Sequence, residues 1–280
     1  MGKLLYGNDI IYGYQHSISQ EIELAGLGLM TGEMCSVRLK PLPENSGIIF
    51  KIQDEEIKVS QNTTSPGFHN LCLKTSESDI MYIEHLLATL FAFGIDNLLI
   101  EVQGPEIPFF DGSALIFSER LLQTGLEEQG EMKKYGVLLE ELEVQEGKSY
   151  IKAIPSGDFS VFAEYISPTG KSESFEYNLN TSFADEISPA RTFIYEQDLK
   201  NVIESGIFKG GNLDCAVVFR GDEPINTDTR FPNERVRHKI LDFLGDMFSL
   251  NLRITGKFFI RSPSHKLTRE FIKKLKYVVV

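Results

Sequence analysis

The stretch "ERVRHKILDFLGD", residues 234–246, sets His238, Asp242 and Asp246 at successive intervals of four. On a helix these positions fall along one face with neighbours about 6 Å apart, so two of the side chains can reach one ion. An imidazole and a carboxylate at that spacing suit zinc, whose catalytic sites take three protein ligands and keep a fourth position open. The same spacing also describes a charged stripe on a solvated helix. A third ligand separates the two readings, and "IEHLLATLF" offers one, with His85 directly after Glu84 at a helix start. A lone histidine there is more often a surface or cap residue. With a carboxylate beside it, it reads as a metal ligand next to a general base, because Glu84 can take a proton from water activated at the ion. His85, His238 and Asp242 are therefore candidate zinc ligands, and Glu84 is the candidate base.

These residues need elements to hold them. Pro232 fits a first helical turn, and Val236, Ile240, Leu241, Phe243, Leu244, Met247 and Phe248 recur at helical intervals, which predicts a helix over 232–250. A second apolar helix is predicted near 80–93. The segments that start near His85 and His238 both read helix, strand, loop, helix, which suggests a duplicated α+β unit with the two histidines facing a cleft between copies. The polar stretch "LEEQGEMKKYG", 126–136, reads as the linker, giving units at 1–128 and 135–280. Strands are predicted at 16–25, 33–40, 46–52 and "NLLIEV" before it. After it they are predicted at 137–144, 148–153, 159–166, 172–179, "LDCAVVF" and "RITGKFFI", with a short helix near 195–205.

Whole-chain properties narrow the class. The chain has 280 residues and is 42% hydrophobic, enough to bury one large core or two smaller ones. It has no apolar run of eighteen residues, and "MGKLLYGNDIIYGYQ" lacks a basic region followed by an apolar one, so no integral membrane contact is expected. Cys35, Cys72 and Cys215 are odd in number and widely spaced, which fits a reducing cytoplasm better than a disulfide framework or a thiolate cluster. A formal charge of −12 argues against nucleic acid as a partner. From Arg253 onward, however, the chain is strongly basic, with Glu270 the one acid. That region is either a solvated amphipathic helix or a local field for an anionic ligand such as a diphosphate.

"IEHLLATLFAFGIDNLLIEVQGPEIPFFDGSA", "SPARTF", "KGGNLDCAVVF", "RHKILDFLGD" and the late His265 resemble, in order and spacing, the UDP-3-O-acyl-N-acetylglucosamine deacetylases, zinc enzymes of lipid A synthesis. The resemblance runs from about residue 16 to 275. It implies an α+β fold of two similar domains, each a β-sheet packed on helices, with zinc and the small-molecule substrate UDP-3-O-acyl-N-acetylglucosamine held between them. It also implies zinc on His85, His238 and Asp242 with Glu84 as base. His265 would stabilise developing charge or protonate the leaving amine, Asp246 would orient it, Thr192 would help hold the carbonyl oxygen, and Lys239 would lie near the substrate phosphates. "FIYEQDLKNVIESGIFKGG", 193–211, resembles an insertion that borders a hydrophobic acyl-chain passage, here about 191–213, so Phe193, Gly210 and Gly211 join the substrate-binding candidates. "EYISP" resembles a segment whose aromatic packs on the uracil, which makes Tyr165 either a base contact or a strand-end aromatic in the core.

Three departures from the family pattern bear on substrate rather than metal. Met30 stands where histidine is usual, and Tyr82 where serine or threonine is. Ser262 replaces a lysine, with Arg261 next door as a possible substitute. The chemistry is coherent with the implied roles, since amide hydrolysis needs activated water, help at the oxyanion and a proton for the nitrogen. Two other functions fit the same residues: a zinc deacetylase for a different nucleotide sugar, or a non-catalytic binder of the acylated one. A binder has no need of Glu84 as a base.

Overall fold

The chain is α+β, and the computed structural model describes Leu5 and residues 7–280. Residues 1–4 and 6, part of the amino-terminal stretch quoted above, lie outside the described residues. Strands β1 (Tyr14–Ile18), β2 (Ile22–Leu27), β3 (Met34–Pro41), β4 (Ile48–Ile52), β5 (Glu55–Lys58), β6 (Thr64–Pro66) and β7 (Leu71–Leu73) precede helix α1 (Glu84–Ala92). After α1 come β8 (Leu98–Gln103), α2 (Leu115–Thr124) and β9 (Leu126–Met132). The five-stranded sheet has the order β2-β3-β8-β4-β5. Period-two alternation builds it: Ile22, Leu24, Val37 and Leu39 are buried, while Glu23 and Arg38 between them face out.

The second half starts with β10 (Tyr135–Leu138), β11 (Leu142–Glu146), β12 (Ser149–Ile154), β13 (Phe159–Ile166), β14 (Ser172–Asn178) and α3 (Phe183–Glu186). It continues through β15 (Phe193–Tyr195), α4 (Glu196–Ser205), β16 (Val217–Arg220), β17 (Glu223–Pro224), α5 (Glu234–Phe248), β18 (Arg253–Arg261), α6 (His265–Lys274) and β19 (Tyr277–Val279). β18 is the hub of a seven-stranded sheet, parallel to β10 and β13 and antiparallel to β12.

Helices α1 and α5 pack against each other between these sheets. All nine residues of α1 are buried, and so is every residue of α5 except Lys239. A helix covered all round belongs to a core and not to a solvated face. Each fully buried leucine or phenylalanine on it contributes about 1.5–3 kcal/mol relative to exposure. The charges on α5 are tolerated because each has a partner: Glu234 with Arg191 at 2.9 Å, Arg235 with Glu173 at 2.5 Å, and Arg237 with Glu186 at 2.6 Å. One apolar cluster takes in residues of both sheets and both helices, including Phe50, Ile100, Phe91, Phe243 and Phe258.

Some elements differ from the sequence reading. The linker stretch 126–136 contains β9, which lies antiparallel to β1 with Ile18 opposite Leu126. Its polar composition reflects exposure along nearly its whole length, while its backbone covers the edge of the buried strand β1. The single strand expected at 16–25 is two, split at residues 19–21, and the strand expected at 137–144 is interrupted between β10 and β11. Five of the eight cations in the basic carboxy-terminal region are ion-paired. Arg253 pairs with Asp96, Arg261 with Glu164, Lys266 with Glu146, Lys274 with Glu270 and Lys276 with Glu140. All three cysteines are buried and free. Among the described residues, no helix is long and apolar enough to cross a membrane.

Candidate metal centre

The crossing of α1 and α5 brings three donors together. One ligand atom each from His85, His238 and Asp242 lies within 4.8 Å of the other two, and all three residues are buried. Asp242 Oδ1 stands 3.7 Å from His85 Nε2 and 3.4 Å from His238 Nε2, with the two rings edge to face at 5.1 Å. His238 Nδ1 is 3.0 Å from the Ala190 carbonyl, which can only accept. The proton therefore sits on Nδ1, and the Nε2 lone pair points into the cluster, an arrangement common to metal-bound histidines. Burial, foremost, pushes the His238 imidazolium down to about 4 against the pull of Asp242, so the ring is neutral at neutral pH. Burial alone would raise Asp242, but Lys239 and His238 hold its carboxyl well below the usual range. Two imidazoles and a carboxylate in a buried pocket are a donor set that a zinc-like ion fits.

A glutamate and a histidine stand beside this cluster. Glu84 opens α1, immediately ahead of His85, and is 2% exposed. Its Oε2 accepts the Leu71 N–H at 2.9 Å, while Oε1 faces His265 Nε2 at 3.9 Å, beyond hydrogen-bond reach. Burial raises the Glu84 pKa against the charges of His265 and His85, which makes the carboxylate a stronger base. His265 opens α6, capped by Ser264, and its Nδ1 lies 2.8 Å from Asp246 Oδ1. Burial lowers the imidazolium pKa, yet Asp246, then Glu84 and Asp242, outweigh it and raise it to about 10. The carboxylate is set to be basic and the imidazole to stay protonated.

The "SPARTF" segment runs alongside His238. Ala190 holds its Nδ1, the Phe193 ring lies 6.4 Å away, and Thr192 N–H donates to Gly112 O at 2.8 Å. A buried ion pair from Arg191 to Glu234 fixes the segment. Lys239 Nζ reaches Asp242 Oδ2 at 2.9 Å and lies 5.7 Å over the Phe193 ring, so the cation sits at the rim of the cluster. Gly210 and Gly211 donate their N–H groups to Leu29 O and Phe208 O.

Tyr165 is 8% exposed, its hydroxyl hydrogen-bonded to that of Tyr195 at 2.9 Å and its ring edge to face with Phe193. Its hydroxyl and ring are thus both engaged by neighbouring aromatics. Arg261 is engaged by Glu164 at 2.7 Å and lies over the Tyr150 ring, and Ser262 N–H donates to Glu164 O. Met30 and Tyr82 fall together: both belong to a small apolar cluster around Phe109 and Cys215, with Leu29, Met81 and Phe208. Phe109 lies 5.8 Å from His85, so this cluster borders the donor set. One residue escaped the sequence reading. His69, with φ of 57°, has its pKa lowered by desolvation first and then by the nearby charges of Lys239 and His265, so it lies near the same rim. Its loop has no periodicity, so no pattern marked it.

Fold and site together define an α+β protein with a buried donor set that could hold a metal ion, beside a buried glutamate, histidine and aspartate. The chain belongs to the UDP-3-O-acyl N-acetylglycosamine deacetylase family, whose pattern matches residues 15–277. It is 35% identical over 271 residues to the UDP-3-O-acyl-N-acetylglucosamine deacetylase of Sulfurimonas denitrificans, covering 93% of this chain and 92% of that protein. The deacetylase of the same name from Thermodesulfovibrio yellowstonii is 32% identical over 274 residues, covering 94% of this chain and 91% of the other. That of Bdellovibrio bacteriovorus is 30% identical over 269 residues, covering 93% and 89%.

Proposed function

We propose that this chain is a zinc-dependent deacetylase that removes acetate from UDP-3-O-acyl-N-acetylglucosamine in lipid A synthesis, acting in the cytoplasm. The observation that carries the reading is convergence. His85, His238 and Asp242 meet within 4.8 Å, and the same two helices present Glu84 and Asp246 to His265. The reading also takes the chain as two similar units, 1–128 and 135–280, with the substrate between them.

In this reading His85, His238 and Asp242 hold the ion. A bound zinc would supply Lewis acidity, polarising an amide carbonyl and making water nucleophilic near neutral pH. The remaining work belongs to the chain. Glu84 Oε1, the oxygen not engaged by Leu71, takes the proton of the attacking water. Thr192, fixed through its N–H to Gly112, helps hold the carbonyl oxygen as charge develops. His265, kept protonated by Asp246, stabilises that charge and delivers a proton to the leaving amine. Lys239 offers its cation to the substrate phosphates. Phe193 and the segment that ends at Gly210 and Gly211 form one wall of the acyl passage.

Incubating purified, metal-quantified protein with UDP-3-O-acyl-N-acetylglucosamine and measuring released acetate tests this function. Acetate release that requires the acyl chain supports it. Equal turnover of the unacylated sugar points to a deacetylase for another nucleotide sugar, and tight binding without release points to a binder.

A further inference from the structure

Glu106 is fully buried, and none of the roles above uses it. Its carboxyl group accepts three hydrogen bonds from one turn of the first half. Met30 N–H reaches Oε2 at 2.8 Å, while the Thr31 N–H and O–H reach Oε1 at 2.7 and 2.6 Å. Gly28 allows this approach, because a Cβ there would stand 2.5 Å from Oε1.

The carbonyl side of the same turn meets the second half. Leu29 O accepts from Gly210 N–H at 3.0 Å and Met30 O from Lys209 N–H at 3.1 Å. The two backbones abut so closely that a Cβ on Gly210 would lie 2.0 Å from Gly28 O. Lys209 and Gly210 close the segment that leaves β15 and carries α4. The residue before them, Phe208, packs against the cluster of Tyr82, Phe109 and Cys215 that borders His85.

We propose that Glu106 is a positioning residue: through the turn 28–32 it holds Lys209 and Gly210, and with them Phe208, in the register that shapes the apolar wall beside the donor cluster. A carboxylate suits the task because it only accepts, and it meets three donors at once. An amide in its place would turn an NH₂ toward one of those donors and leave a buried group unpaired. The effect on substrate rests on the acyl-passage reading of that wall, whereas the tether does not.

Hydrogen exchange at the Lys209 and Gly210 amides in full-length Glu106→Gln tests the tether, and KM against acyl length tests its consequence. Exchange at both amides should speed up about tenfold or more, and KM for the long-acyl substrate should rise roughly five- to tenfold with kcat within about twofold. Glu106→Asp, which keeps the carboxylate, should recover part of both effects. If Glu106→Gln fails to fold, Thr31→Val deletes one of the three donors and carries the same exchange test with a smaller expected increase. Unchanged exchange at these amides in the variant that folds overturns the proposal. Faster exchange with KM raised equally for acylated and unacylated sugars upholds the tether and overturns the passage reading instead.

Discussion

Glu84 turns its two oxygens to different partners, Oε2 fixed on the Leu71 N–H and Oε1 facing His265. Glu84→Gln keeps the shape but loses the base, so turnover should fall by roughly two to four orders of magnitude while zinc content holds. Near-normal rates with normal zinc would make it a structural carboxylate. The partner residue governs the other side of the pH profile. A base must be deprotonated, so activity rises as pH climbs through the elevated Glu84 pKa; an acid must be protonated, so activity falls as pH passes that of His265. The His265 value of about 10 belongs to the ring among its carboxylates, and a bound divalent charge would bring both limbs lower. In chelator-treated protein the sign is equally defined. Because the folded pKa is raised above 6.5, the His265–Asp246 pair contributes stability that is complete below 6.5 and lost as pH rises toward about 10. His265→Gln should remove that slope in denaturation midpoints and flatten the alkaline limb of activity; a variant that keeps both would release His265 from the acid role. The i, i+4 pair and the Glu84-His85 dipeptide were legible because helical spacing converts directly into a shared face. The Ala190 carbonyl that sets the His238 tautomer and the rim residue His69 were not, since both depend on chain folding back over a loop.

At the scale of elements, the site exists because α1 and α5 touch backbone to backbone. A Cβ built on Gly245 would lie 2.1 Å from Glu84 O, so only glycine lets the first turn of α1 settle there. Gly245→Ala must push Glu84 and His85 away from His238 and Asp242, and overpacking of this kind costs about 1–3 kcal/mol. Urea denaturation should show that loss, together with weakened zinc retention; full stability would mean that the helices do not meet so closely. Both helices could be read from apolar periodicity. Their complete burial could not, because Arg235, Arg237 and Glu234 look like a solvated edge until their partners on other elements are known. The strand β9 was misread for a related reason: polar composition marks an exposed face, and an edge strand has one just as a linker does.

For the whole molecule, the two sheets and the helices between them leave the donor set next to an apolar wall, and substrate affinity should follow the length of the acyl chain. Each buried methylene should contribute up to about 0.8 kcal/mol, read as a stepwise fall in KM across an acyl series. A flat series would detach the wall from substrate binding. Linear sequence does not reveal the glutamates and aspartates that pair with five of the basic carboxy-terminal residues. The α+β class followed from element pattern, and the long motifs in register carried the family. The central claim is that the buried donors of α1 and α5 hold a catalytic ion. Elemental analysis of the wild type and His238→Ala, purified in parallel, measures this most directly. The expected result is about one zinc per chain in the wild type and a large loss in the variant with its fold intact. Equal zinc in the two proteins, or none in either after growth with added zinc, would contradict it.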